Sequence, residues 1–447
     1  MVKTRKAYVC ESCGAHSVKW AGQCPECLSW NTLVETTVPQ SSATAAAPAA
    51  ESARLSVVGQ EADHRYRSGF GEFDRVLGGG LVPGSVVLIG GDPGVGKSTL
   101  LQQVSAIMSG ELDVCYASGE ESLRQVAQRA NRLQASESNM SLVADTSLDR
   151  IIALALAEKT DVLVIDSIQT MESSSSPSAP GSVSQLRDCV GKIVQFAKQN
   201  EISVFVIGHV TKEGTIAGPR LVEHMVDTVL YFENDPASRY SMIRSVKNRF
   251  GASGEMGVFA MTEEGFKEVK NPSAIFLSRD TLSGPGSVVS VAWEGSRPLL
   301  VEIQALVADG NSGYAKRLAQ GVDQNRLALL LAVLLKHGDT ELGADDVFVN
   351  VVGGLKINET AVDLPSVMAI VSSFRDRACR ERLISFGELG LAGEVRPVRF
   401  GAERIAAAGK QGFATAIVPA ANVPKKKSGS IDVIGVRSLA EALDAAF

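Results

Sequence analysis

Short apolar runs alternate with helical stretches between residues 66 and 270. The runs "SVVLIGG", "DVCYASGEE", "DVLVIDS" and "ISVFVIGHV" are rich in Val and Ile and predict strands. Stretches such as "KSTLLQQVSAIM" lie between them and predict helices. Alternation of this kind implies a parallel sheet with helices on its faces, an α/β fold whose active groups gather at the carboxyl ends of the strands. The pattern changes beyond residue 271. There "SVVSVAWEG", "LLVEIQALV" and "DVFVNVVGG" predict strands, and "QNRLALLLAVLLKHG", "DLPSVMAIVSSF" and "FGAERIAAAGKQG" predict helices. This second pattern suits a separate α+β domain, residues 271–447.

The segment after Glu35, "TTVPQSSATAAAPAAESA", is low in complexity and reads as a flexible linker. It divides a small N-terminal module, residues 1–35, from the body, with the linker itself over 36–65. The 447 residues leave room for two or three domains, and 45% hydrophobic against 21% charged residues is a globular balance. No run is long and apolar enough for a membrane span, and the N-terminus lacks a signal-like apolar core, so the expected compartment is the cytoplasm. A net charge of -6 argues against coating nucleic acid by charge alone, yet leaves room for a local basic channel.

Four of the seven cysteines crowd into the first 27 residues. Cys10-x-x-Cys13 and Cys24-x-x-Cys27, ten residues apart, are two knuckles that supply four thiolates to one tetrahedral zinc. Two disulfides are the alternative, which a cytoplasmic chain disfavours. So small a module needs its metal to fold.

"GDPGVGKS", Gly91 to Ser98, follows a strand and opens a helix, the context a phosphate-binding loop requires. The loop Gly91, Asp92, Pro93, Gly94, Val95, Gly96, with Lys97, Ser98 and Thr99, is expected to cradle ATP. Lys97 reaches the β- and γ-phosphates, and Ser98 holds magnesium. Asp166 ends an apolar strand and supports the same magnesium. Glu120 and Glu121 end another strand, where one acid can activate water; spacing does not choose between them, and Glu120 is the expected one. His209 stands at a fourth strand end, as a γ-phosphate sensor or as a structural histidine.

The four-Cys head, "GDPGVGKST", "YASGEES", "VLVIDSIQT", "VKNRFG" and the tail together resemble the bacterial RadA (Sms) family of recombination and repair ATPases, over nearly the whole chain. The resemblance implies a RecA-like core joined to a Lon-protease-like domain. It implies a hexameric ring moving on single-stranded DNA, driving branch migration of recombination intermediates beside the RecA recombinase. Lys247 and Arg249 in "VKNRFG" match the Lys-x-Arg with which DnaB-type ring helicases reach a neighbour's ATP; without the resemblance they read as a solvated basic turn. The stretches after Asp166 and after His209, the second with Lys212 and Arg220, correspond to channel loops that face DNA.

The tail admits a rival class. Lon-type proteases place their serine in a string that "DLPS" resembles, at Ser366, but their lysine position falls on Ala402 here. A serine without a nearby base is a poor nucleophile, and Lys410 lies two helical turns on. The expected tail is therefore a non-proteolytic scaffold. The other rival is a KaiC-like signalling ATPase or autokinase, which shares the lead-in "GFGEFDRVLGGGLVPGS" but would carry a duplicated ATPase domain and no zinc head.

Overall fold

The computed structural model describes residues 4–10, 16–26, 28–39, 64–174, 181–209, 221–234, 240–277, 284–310, 315–425 and 431–447. They form two compact units, Met1–Val269 and Lys270–Phe447.

At the N-terminus β1 (Thr4–Cys10), β2 (His16–Ser17) and β3 (Leu33–Pro39) make an antiparallel sheet in the order β2-β1-β3. Register runs from Thr4 opposite Pro39 to Cys10 opposite Leu33. β3 therefore extends past residue 35 into the segment that composition assigned to the linker. Thr and Val in "TTVP" suit a pleated ladder, and pairing with β1 overrides the low-complexity signal.

The main sheet holds nine strands in the order β12-β11-β10-β9-β4-β8-β7-β5-β6. Six are mutually parallel: β4 (Val86–Gly90), β5 (Val114–Ser118), β6 (Ser141–Ala144), β7 (Val162–Asp166), β8 (Ser203–Ile207) and β9 (Thr228–Asn234). A meander of β10 (Tyr240–Asn248), β11 (Met256–Thr262) and β12 (Gly265–Glu268) continues antiparallel from β9. Every residue of β4, β5, β7 and β8 is buried, which is why these strands read as unbroken apolar runs. Alternate side chains serve opposite cores. Val86 and Leu88 pack with Ile151, Val190 and Ile193 of one helical layer, whereas Val87 and Ile89 pack with Leu100, Leu101 and Val104 of the other. The β12 edge is covered by a side chain: Gln103 Oε1 accepts from the Phe266 N–H at 2.8 Å.

The second unit is built on a seven-stranded sheet, β15-β16-β14-β13-β17-β20-β21. Its strands are β13 (Ser287–Glu294), β14 (Arg297–Ala308), β15 (Arg317–Gln320), β16 (Asp346–Val351), β17 (Leu383–Ser385), β20 (Thr415–Pro419) and β21 (Asp432–Val436). β18 (Glu388–Leu389) and β19 (Val395–Arg396) form a separate hairpin. Helix Asp363–Phe374 is buried along nearly its whole length and is the pillar of this core. The Arg404 side chain, 1% exposed, is a buried charge with a fork of bonds to Glu359 at 2.9 and 2.7 Å and one to the Arg399 carbonyl at 2.9 Å. Removing one partner strands the other in a low-dielectric interior. Glu359→Ala is expected to destabilise this unit by about 3–5 kcal/mol. Urea unfolding followed by Trp293 fluorescence, with Trp20 and Trp30 replaced by Phe, measures that loss.

Candidate nucleotide site and metal-binding ribbon

The strand ends of the parallel sheet converge on one edge. After β4 the chain turns through residues 91–96 into helix Lys97–Met108. The turn is possible because Gly91, Gly94 and Gly96 take φ of +154°, +82° and +102°. At Gly96 a Cβ would meet the Phe266 ring at 2.6 Å, so the loop is closed against β12. At Gly94 nothing lies within 4 Å, and this part of the loop is open. The helix starts with no side-chain cap and no acid in its first turn. By contrast, helix Leu123–Arg132 is sealed by a Ser122–Gln125 capping box. The first N–H groups of Lys97–Met108, with Ser98 and Thr99 half-buried among them, thus suit an anion.

Lys97 is 4% exposed, and its ammonium donates to the carbonyls of Gly91 (2.7 Å) and Asp92 (2.8 Å). Burial holds it below the usual lysine range, offset in part by the Asp166, Asp92 and Glu120 carboxylates. A phosphate beside it would supply the counter-charge that backbone carbonyls supply only as dipoles. These features fit a nucleoside triphosphate: a left-handed glycine loop, uncapped N–H groups and a buried cation.

The acids separate by their partners. Asp166, 5% exposed at the end of β7, accepts from the Tyr116 hydroxyl at 2.6 Å. Burial and the Asp166 carboxylate push the Tyr116 phenol well above its usual range, so it stays a donor. Glu121 is tied to Arg129 at 2.6 Å, and Arg129 also donates to Gln102 at 2.6 Å. Glu120 instead accepts from the Ser167 hydroxyl and stands 3.3 Å from His209 Nε2. The structure thus brings together Lys97, Asp166, Glu120 and His209 at one edge and turns Glu121 toward a neighbouring helix. Tyr116, Arg129 and Ser167 were not singled out from the sequence. The one available signal was Tyr116, a polar-tipped ring inside an apolar strand.

Lys247 and Arg249 are elsewhere. They lie beside Val229 and Asp227, at the start of β9, next to the start of β4. The phosphate loop leaves the other end of β4, on the order of 13 Å along the strand at 3.3 Å per residue. The Lys247 ammonium caps the chain after helix Leu221–Met225, donating to Glu223 (3.0 Å), His224 (3.1 Å) and Val226 (2.8 Å) carbonyls. Burial, then the adjacent Arg249 charge, lowers its pKa. Arg249 is half-exposed and pairs with buried Asp227 at 3.2 Å. Neither reaches the phosphate loop of its own chain. Lys212 and Arg220 lie outside the described residues, as do residues 175–180 of the loop after Asp166.

In the ribbon, Cys10 and Cys24 are fully buried and pack with Leu33. The Cys24 N–H bonds the Ser29 carbonyl and the Cys24 carbonyl accepts from Leu28, both at 2.9 Å, which folds a tight turn about this cysteine. Two buried thiols in one small cluster, one at the end of β1 and one on a tight turn, fit a soft tetrahedral metal such as zinc. Cys13 and Cys27 lie outside the described residues.

In the second unit the Ser366 hydroxyl is 1% exposed and donates to the Val362 carbonyl at 2.6 Å. Ala402 and Lys410 are exposed.

A buried parallel sheet carrying this loop and acid pair at its strand ends defines a RecA-like P-loop ATPase. The AAA domain family matches residues 54–215, the rubredoxin metal binding domain family residues 8–35, and the family of subunit ChlI of Mg-chelatase residues 330–422. The chain is 52% identical to the DNA repair protein RadA of Pseudomonas aeruginosa, over 100% of both chains. It is 49% identical to that of Escherichia coli over 98% of both, and 46% identical to that of Bacillus subtilis over 99% of both. Two solved structures are similar over part of the chain. One is an isolated ATPase domain (15% identity, TM-score 0.42), which covers 48% of this chain and 95% of its own. The other, a KaiC-like protein of Pyrococcus horikoshii (18%, TM-score 0.39), covers 46% and 100%. The chain belongs to the RadA family of DNA repair ATPases, with an N-terminal zinc ribbon and a C-terminal Lon-protease-like domain.

Gly96→Ala is expected to abolish nucleotide binding while leaving the sheet folded, because the methyl group has no room beside Phe266 and φ is left-handed. Titration with a fluorescent ATP analogue, beside circular dichroism, checks both halves.

Proposed function

We propose that the protein is a DNA-dependent ATPase that assembles as a homohexameric ring, moves on single-stranded DNA and drives branch migration of recombination intermediates. The observation that carries the catalytic part is the Glu120 carboxylate, 3.3 Å from His209 and hydrogen-bonded by Ser167, at the same sheet edge as Lys97 and Asp166. In this reading Gly91 to Thr99 bind the triphosphate, and Lys97 neutralises its β- and γ-oxygens. Ser98 and Asp166 hold magnesium, which supplies the Lewis acid for phosphoryl transfer. Glu120 orients and deprotonates the attacking water. Tyr116 fixes the direction of the Asp166 carboxylate, and Glu121 serves Arg129 rather than the reaction. Cys10, Cys13, Cys24 and Cys27 bind zinc.

Arg249 stands at the far end of β4 from its own phosphate loop, half-exposed, so its natural target is the nucleotide of an adjacent subunit. Lys247 positions that turn by capping the chain after helix Leu221–Met225. The domains of this reading are a zinc module at residues 1–39, a linker from 40, the ATPase over 66–270 and the Lon-like scaffold over 271–447. Ser366, fully buried and bonded to its own helix, favours a scaffold over a protease. The partners are single-stranded DNA and the RecA recombinase, in the cytoplasm.

Steady-state ATP hydrolysis with and without single-stranded DNA at fixed salt tests the reading; a rate indifferent to DNA refutes it. Glu120→Gln is expected to bind ATP normally and lose at least about 100-fold in turnover, and Glu121→Gln far less. Equal losses in the two variants would reject the assignment of the acid. Arg249→Ala is expected to bind ATP and lose most DNA-stimulated hydrolysis, and wild-type rates would exclude the role in a neighbouring site.

A further inference from the structure

The second unit holds an aromatic column. The Phe400 ring stacks on Trp293 with centroids 4.1 Å apart and planes 19° from parallel. On Trp293 the Arg404 guanidinium lies 5.8 Å from the ring centroid. Trp293 thus contacts both a buried cation and a phenyl ring, and Phe400 is 47% exposed. Nearly half of Phe400 is open to solvent beyond its contact with Trp293.

The backbone beneath is held in an unusual conformation. Phe400 has φ 60° and ψ 35°, the left-handed region. It is the one aromatic residue with positive φ among the described residues. Bulky residues avoid this conformation unless their surroundings enforce it. Here they do. Asn422 bonds Val398 in both directions, accepting from its N–H at 2.9 Å and donating to its carbonyl at 2.8 Å. Arg404 Nε donates to the Arg399 carbonyl at 2.9 Å. The two residues that lead into the strained residue are thus both clamped. Arg399, next along the turn, is exposed and has no acidic partner among the described residues, whereas Arg396 is already paired with Glu394.

We propose that Phe400 is a stacking platform for a base of single-stranded DNA, with Arg399 as the contact to the adjoining phosphate. A free aromatic face accepts any base, and a neighbouring guanidinium meets the backbone charge that accompanies it. The inference rests on the DNA-binding reading above and adds a base-contacting site in the Lon-like unit.

The test compares full-length protein binding to an oligothymidine and to the same oligonucleotide with abasic sites, by fluorescence anisotropy at fixed salt. Phe400→Gly removes the ring and suits the left-handed backbone, so its melting temperature should equal or exceed that of the parent. It should bind oligothymidine roughly 5- to 100-fold more weakly and the abasic strand as the parent does. Phe400→Trp should restore the preference for bases. Arg399→Gln should weaken both strands alike and lower the salt slope by about 0.7. Unchanged oligothymidine affinity in Phe400→Gly, or an equal loss on both strands, overturns the platform. A parent protein that binds neither strand overturns the DNA-dependent reading, and the platform with it.

Discussion

The contact between Gly96 and the Phe266 ring is the one on which the nucleotide edge depends. Its tightness leaves room for hydrogen alone, and the loop must pass there with a left-handed backbone. Helix Lys97–Met108 begins directly after it, so the same contact aims the uncapped N–H groups and buries Lys97 against the carbonyls of Gly91 and Asp92. Phe266 belongs to β12, the outermost strand of the sheet. The phosphate loop is thus supported from the meander side, while its acids arrive from β5 and β7 on the other.

Burial arranges the acids as much as proximity does. Arg129 reaches in from helix Leu123–Arg132, takes Glu121 and stands 4.0 Å from Asp166. One of two adjacent carboxylates is thereby neutralised. Tyr116 completes the arrangement as a buried donor that fixes a carboxylate without adding charge. Ser167 and His209 leave Glu120 in a half-exposed position, open to water as Asp166 is not.

The parallel sheet, the phosphate loop and the strand-end acids were legible in the chain because each rests on local pattern: an apolar run, a glycine spacing, an acid at the end of the run. The pairing of Glu121 was not, because its partner Arg129 lies eight residues further on and is brought back by a helix. Lys247 was legible as a basic residue of a signature and illegible as a cap, since the carbonyls it serves lie more than twenty residues upstream. β3 misled in the opposite sense. Its Thr and Pro looked like linker, and only the ladder to β1 makes them strand. Phe400 gave no signal at all, because nothing in "VRFGAER" reveals a left-handed backbone.

The β11–β12 hairpin sits on the surface and would be taken for a place where the chain can vary. Its two strands meet with Thr262 opposite Gly265 and Met261 opposite Phe266, and both of the latter side chains bear on Gly96. A slip of one residue in this register would turn Phe266 to the other face of the sheet and leave the phosphate loop without its wall. Length at this surface turn is therefore as tightly constrained as the glycines of the loop itself, though no atom of the turn need touch the nucleotide.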